Sequence, residues 1–169
     1  AEEMCKNGAK VVGIDASKKT IEIAQNHAKE QNLNIKYLNE DIEKHDTKEK
    51  YDAVVCFELI EHVPHPDKLI NQISRIIKPN GKLFISTINR NLFSFLFAKI
   101  AAEYILNIIP RGTHTYDKFL KPSEIRLMLN KYNLTITDIQ GLKFNPIINK
   151  FKFSSFTRIN YFITASYDD

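Results

Sequence analysis

An open α/β sheet, with strands and helices alternating along the chain, is the fold class this sequence predicts. Three observations point to it. Residues 52–57 (DAVVCF) form a short apolar, β-branched run of the kind that builds a buried parallel strand. Residues 10–15 (KVVGID) make another, and Ser17 can cap a following helix whose apolar face is Ile21, Ala24 and Ala28. Residues 67–77 then place Leu69, Ile70, Ile73, Ile76 and Ile77 on the inward face of an amphipathic helix, before Pro79-Asn80-Gly81 turns the chain into a strand at 83–87.

The other elements follow the same logic. Residues 1–8 read as the tail of a helix closing on glycine, and 35–38 as a strand leading into Asn39-Glu40-Asp41-Ile42. Pro122 opens a helix over 122–132, and 134–142 and 160–166 read as strands. No internal repeat or low-complexity linker interrupts the chain. The plan is one domain over 1–169 with one insertion, residues 91–109.

That insertion, NLFSFLFAKIAAEYILNII, is almost wholly apolar, and its polar residues Lys99, Glu103 and Asn107 recur every four positions. As a helix it would be a greasy cylinder with one narrow polar stripe, fit for burial, for a membrane interface or for spanning. Lys99 and Glu103 near its centre make spanning expensive. A domain of this size has little room to bury every face of an extra helix, so an interfacial position on an anionic membrane surface is expected.

Composition sets the outer bounds. The 169 residues suffice for one domain with a respectable core, and the formal charge of +4 is mildly basic. That balance suits an anionic membrane surface or nucleic acid and demands neither. The two cysteines, Cys5 and Cys56, have no metal-type spacing and make no disulfide framework, so a reducing, cytoplasmic setting is expected. Cys56 reads as core. The opening residues do not read as a signal peptide.

The chemistry gathers just after residues 52–57. Glu58, Glu61 and His62 would lie at i, i+3 and i+4 on one face of a first helical turn if a helix began near Glu58. In an open α/β sheet, ligands bind at the carboxyl ends of the strands, where these residues would sit. Two carboxylates and an imidazole make a hard-cation site, a general-base site, or a solvated helix start favoured by the helix dipole. Asp15, at the end of its strand, either caps the next helix or hydrogen-bonds a nucleotide ribose. Asp41 and Ile42 are a polar loop with one buried isoleucine, or part of a ligand site.

Beyond these general patterns, the chain resembles a known family. Glu58-x-x-Glu61-His62-Val63, then Pro64-x-Pro66, then a helix closing on Lys78-Pro79-Asn80-Gly81 before a strand, is similar to class I S-adenosylmethionine-dependent methyltransferases. Ser86-Thr87-Ile88-Asn89-Arg90-Asn91, Ala102-Glu103-Tyr104-Ile105-Leu106, Pro110-Arg111-Gly112-Thr113-His114, Lys118-Phe119-Leu120-Lys121-Pro122 and Phe144-Asn145-Pro146 resemble the O-methyltransferases of ubiquinone biosynthesis. The resemblance runs in order from Ala1 nearly to Tyr167.

It implies a Rossmann-like sheet flanked by helices, closed by 134–142 and 160–166 as an antiparallel pair. It implies S-adenosyl-L-methionine as cofactor, with Asp15 on the ribose, Asp41 and Ile42 at the adenine, and Phe57 packed on the nucleoside. It implies methylation of a phenolic or catecholic hydroxyl on a polyprenylated ring, by an enzyme peripheral on the inner membrane through 91–109 and able to join a ubiquinone biosynthetic complex. Glu58, Glu61 and His62 become the catalytic set and the ligands of Mg²⁺ or another divalent cation. His114 is the candidate fourth ligand, since it follows the insertion, precedes the helix at Pro122, and falls where a small-RNA-methylating family places a metal-binding histidine.

The family's first strand and glycine-rich turn have no counterpart in the chain, where Gly8 and Gly13 do not fit; the resemblance puts that strand between 10–15 and 52–57, so unpaired strand edges inside the sheet and a longer protein are expected. Two other functions compete with the lipid-quinone reading. A small-RNA 2′-O-methyltransferase shares the Glu-x-x-Glu-His pattern, but the chain lacks a dense basic patch interleaved with aromatics, and no nucleic acid is expected. A cofactor-less membrane scaffold would suit the missing turn and not the intact acidic cluster.

Overall fold

The structure, a computed structural model, describes residues 1–91, 94, 118–145 and 149–167. Most of the apolar insertion and His114 lie outside the described residues. The chain divides into two compact units, Ala1–Thr47 and Lys48–Asp169.

The first unit contains α1 (Glu2–Lys6), β1 (Val11–Asp15), α2 (Lys18–Glu30) and β2 (Ile35–Asn39), with a short 3₁₀ turn at Ile42–Lys44. β1 and β2 pair in parallel, Val11 with Ile35 through Asp15 with Asn39. Ser17 caps α2 as its sequence implies, its Oγ accepting the Thr20 N–H at 3.3 Å. Ile21 and Ala28 are buried on that helix, and Ala24 is half-buried.

The second unit contains β3 (Tyr51–Phe57), α3 (Pro66–Ile76), β4 (Ile77–Ile88), α4 (Pro122–Asn130), β5 (Leu134–Asn145), β6 (Lys150–Ser154) and β7 (Asn160–Tyr167). Its five strands run in the order β3-β4-β7-β5-β6. β3 and β4 are parallel; β7 lies antiparallel between β4 and β5. The antiparallel closing pair is therefore as the sequence implies. β6, which the sequence reading did not include, hairpins back on the end of β5.

Alternation along β4 divides the sheet into two faces. Leu83, Ile85 and Thr87 pair with Ala165, Ile163 and Tyr161 of β7, and all six are buried. Leu69, Ile70 and Ile73 of α3 and Ile125 and Leu129 of α4 complete this core. Lys131 and Tyr132, just past α4, both reach Asp67 at the start of α3, at 2.8 Å each. The expected burial of 52–57 is not met: β3 pairs only with β4 among the described residues, and Cys56 alone of its residues is buried. An edge strand lacks the second neighbour that would cover it.

Among the described residues no helix is long and apolar enough to cross a membrane.

The β5–β6 hairpin depends on one glycine. A Cβ on Gly141 would stand 1.8 Å from the Phe156 carbonyl oxygen, so the segment leaving β6 lies directly on this backbone. Gly141→Ala should therefore destabilise the protein by roughly 1–3 kcal/mol in urea unfolding, as overpacking does. Lys150→Ala, exposed on the same hairpin, should stay within about 0.5 kcal/mol of the parent.

Candidate active site

The site begins where β3 stops. Glu58 has φ +48°, a left-handed backbone that non-glycine residues seldom adopt. Two bonds from β4 hold it: the Glu58 N–H donates to Ser86 O at 3.0 Å, and Ser86 Oγ donates to Glu58 Oε1 at 2.7 Å. The chain then makes a tight turn, closed by the His62 N–H on Leu59 O at 2.9 Å.

A helix starting near Glu58 is thus not what forms. Helix α3 begins only at Pro66, because Pro64 disfavours helical geometry at Val63 and Pro66 itself fits the first helical position. The turn sorts the side chains instead. Glu58 and His62 are exposed, whereas Ile60 and Glu61 are 0% and 5% exposed.

Glu61 is the electrostatically perturbed member. Burial pushes its carboxyl up to about 7, a backbone N–H partly opposes this, and the neighbouring Glu58 charge adds to it. Its Oε2 is buried without a hydrogen-bond partner. The same burial raises the Cys56 thiol to about 12, with Glu61 a lesser cause, so this cysteine is core as the sequence implies.

The expected single-faced metal set is not formed by these residues. Among the described residues no group of three or more His, Cys, Asp or Glu side chains could hold a metal ion. The turn separates what a helix would have aligned. What remains of the cluster is a carboxylate pair, in which Glu61 keeps an unpartnered buried oxygen beside Glu58.

Glu58 also borders a cleft of about 450 Å³ on the sheet face opposite α3 and α4. Phe57, Ser86 and Phe162 line it as one row of paired positions across β3, β4 and β7. Ile88 and Asn160 form the next row, and Asn160 Oδ1 accepts the Leu142 N–H at 2.9 Å. Phe57, 51% exposed, meets Phe162 edge-to-face with centroids 5.4 Å apart.

The Asn-Arg-Asn segment pins the far end of this cleft. Asn89 Nδ2 donates to Thr157 O at 2.9 Å, Asn91 Nδ2 donates to Arg158 O at 2.7 Å, and Arg90 pairs with Glu124 of α4. Sequence reasoning assigned no role to these residues, to Ser86 or to Phe162. Ser86 could have been found from strand alternation, which sets it beside the strand-ending Glu58; the others depend on long-range pairing.

In the first unit, Asp15 ends β1 half-buried, and its Oδ1 accepts the Ser17 N–H at 2.7 Å. Asp41 is exposed and caps the 3₁₀ turn by accepting the Glu43 N–H at 3.0 Å; Ile42 beside it is half-buried. Both acids follow the carboxyl ends of neighbouring parallel strands, the end at which such sheets bind ligands.

Comparison with known proteins places this architecture. A family described as methyltransferase domain matches residues 1–139. A magnesium protoporphyrin IX methyltransferase from Synechocystis, solved with bound SAH, superposes with TM-score 0.69 at 20% identity, covering 97% of this chain and 67% of that one. An S-adenosylmethionine-dependent methyltransferase from Clostridium acetobutylicum gives 0.71 at 14% identity, covering 99% and 79%. The fold is that of an S-adenosylmethionine-dependent methyltransferase.

Closer relatives narrow the class. The ubiquinone biosynthesis O-methyltransferase of Coxiella burnetii is 42% identical over 162 residues, 95% of this chain and 69% of that protein. That of Vibrio campbellii is 41% identical over 165 residues, 96% and 70%. The chain belongs to the ubiquinone biosynthesis O-methyltransferase family.

The raised Glu61 carboxyl makes stability depend on pH. Its contribution is fully present below the unfolded value near 4.5 and is lost as pH rises through about 7, because folding favours the protonated form. In EDTA-containing buffer, Glu61→Gln should therefore gain on the parent by roughly 2–3 kcal/mol between pH 4 and pH 9 in denaturant unfolding. An unchanged difference across that range would show that folding does not shift the Glu61 carboxyl.

Proposed function

We propose that the chain transfers a methyl group from S-adenosyl-L-methionine to a phenolic or catecholic hydroxyl on a polyprenylated ring of ubiquinone biosynthesis. The observation that carries this reading is the Glu58–Glu61 pair past the end of β3, with Glu58 on the wall of a largely apolar cleft. A carboxylate at the edge of an apolar cleft suits an acceptor whose only ionisable group is a ring hydroxyl. The names of the relatives point to the same acceptor class.

In this reading Asp15 binds the cofactor ribose, Asp41 and Ile42 the adenine, and Phe57 the nucleoside; the position of each at or just past the carboxyl end of its own strand supports it. When bound, the cofactor supplies an electrophilic sulfonium methyl. With Glu61 protonated, Glu58 carries the charge of the pair and accepts the hydrogen bond of the acceptor hydroxyl, its own carboxylate steadied by Ser86. His62, exposed on the same turn, would take the proton of the acceptor hydroxyl as that oxygen is methylated. Orientation of the two reacting atoms supplies much of the rate.

A divalent cation is a finer part of the reading. Glu58 and Glu61 would hold it with His62 and, from outside the described residues, His114. It would lower the pKa of the bound hydroxyl. The crowded carboxylates and the orphaned Glu61 oxygen support this. Residues 91–109 also lie outside the described residues; their apolar character supports peripheral attachment to the inner membrane, where a biosynthetic complex could assemble.

Two measurements test these assignments. Asp15→Ala should weaken S-adenosylmethionine binding by about 1–3 kcal/mol in calorimetry, the cost of losing a buried hydrogen-bonding partner. Unchanged affinity would remove Asp15 from the site. Mg²⁺ or Mn²⁺ at about 100 times its Kd should add about 2.7 kcal/mol of stability to the parent, seen as a raised thermal midpoint, and none to Glu58→Gln. Methyl transfer to a farnesylated catechol should stop in EDTA and return with the cation. Full activity in EDTA would leave His62 as a base working without metal.

A further inference from the structure

We propose that Asn39 is a positioning residue for the cofactor: its side-chain amide locks the backbone that carries Asp15, and so fixes the direction in which that carboxylate meets the ribose. This role rests on the assignment of Asp15 to the ribose, and every residue concerned lies in the first unit. Register sets Asp15 and Asn39 opposite each other, as the last pair of the parallel β1–β2 ladder. Beyond that pair the strands part, β1 toward α2 and β2 toward the 3₁₀ turn at Ile42–Lys44. Carbonyls at the end of a ladder need donors from elsewhere.

Asn39 supplies them. Its Nδ2 donates to Asp15 O at 3.0 Å and to Ala16 O at 3.0 Å, so one amide bridges two successive carbonyls of the facing segment. The Glu40 N–H also donates to Asp15 O, at 3.2 Å. A side-chain amide carries two N–H donors, which is what two acceptors require. An aspartate of the same shape has none, and would set its oxygens against the same carbonyls. The amide acts as one more rung of the ladder, placed where the backbone rungs stop.

The acid is what this rung holds. The Asp15 carboxylate turns back onto its own loop, where Oδ1 accepts the Ser17 N–H at 2.7 Å. Among the described residues no hydrogen bond holds Oδ2, which leaves that oxygen for a ligand hydroxyl. Asp15 is half-buried and Asn39 exposed, so both stand at an open end of the sheet. Burial of Asn39 therefore contributes little, and its contribution is directional. Hydrogen bonds weaken steeply as their angle departs from linear, and an acceptor fixed beforehand loses less freedom when the ligand arrives.

Calorimetry with S-adenosyl-L-homocysteine tests this role, with the 2′,3′-dideoxy analogue of that ligand as control. Asn39→Ala and Asn39→Asp should each weaken S-adenosylhomocysteine binding by about tenfold, the scale of one well-made hydrogen bond. Neither should change binding of the dideoxy analogue, which offers Asp15 no hydroxyl. Asn39→Asp keeps the shape and removes the donors, so a role in filling space predicts parent-like binding by that variant. Combined with Asp15→Ala, Asn39→Asp should add no further loss, because the two residues act on one bond.

Parent-like binding of S-adenosylhomocysteine by Asn39→Asp overturns the proposal. An equal loss of both ligands also overturns it, since Asn39 would then act through the fold, and so does a parent that fails to bind S-adenosylhomocysteine. If Asp15→Ala weakens binding and Asn39→Asp does not, the ribose assignment stands and the role of Asn39 alone fails. If both variants bind like the parent, the ribose assignment falls as well. A loss in both, confined to the ligand with hydroxyls, with no phenol methylated, leaves Asn39 in its role and removes the acceptor reading.

Discussion

Strand β4 is paired along both edges, and the rest of the second unit depends on that. Its parallel ladder to β3 and its antiparallel ladder to β7 fix its register from two sides. A slip of one residue would exchange every inward and outward side chain. With Leu83, Ile85 and Thr87 committed to the core, Ser86 and Ile88 must face the cleft. The serine that steadies Glu58 is therefore positioned by hydrophobic burial on the far side of the sheet. Its own burial is tolerable because Glu58 accepts its hydrogen bond.

The same ladder explains the conflict at Glu61. Bonds to Ser86 hold Glu58 in a left-handed conformation, and the chain after it folds back as a turn. Burying Ile60 in the core carries its neighbour Glu61 inward with it. A carboxyl group so placed must either keep its proton or find a cation, because an isolated buried charge costs far more than a turn can supply. This is local strain imposed by the scaffold, and it falls at the carboxyl end of a parallel strand, where α/β sheets bind their ligands.

What could be read from the sequence was whatever depends on local pattern. The β–α alternation, the Ser17 cap, the helix start at Pro122 and the apolar face of α3 all came from local pattern and survived in the structure. The acidic cluster was also legible as chemistry, since Glu58, Glu61 and His62 stand together in the chain. Its geometry was not. Three acceptable helical positions were overridden by Pro64, Pro66 and a hydrogen bond from a strand 28 residues away. β6 was missed because KFKFS alternates over only five residues and gains its partner from the end of β5. The apolar run of β3 looks the same for a central and an edge strand, so its open edge was legible only through the family resemblance. His114 and the apolar insertion lie outside the described residues, so the structure does not bear on them.

A site with so few polar groups can still be effective, because methyl transfer needs no covalent intermediate on the protein. It needs an acceptor oxygen held in line and a place for one proton. Contacts made far from the reacting oxygen can supply the holding, since binding energy from remote parts of a substrate can be used to fix orientation at the reacting centre.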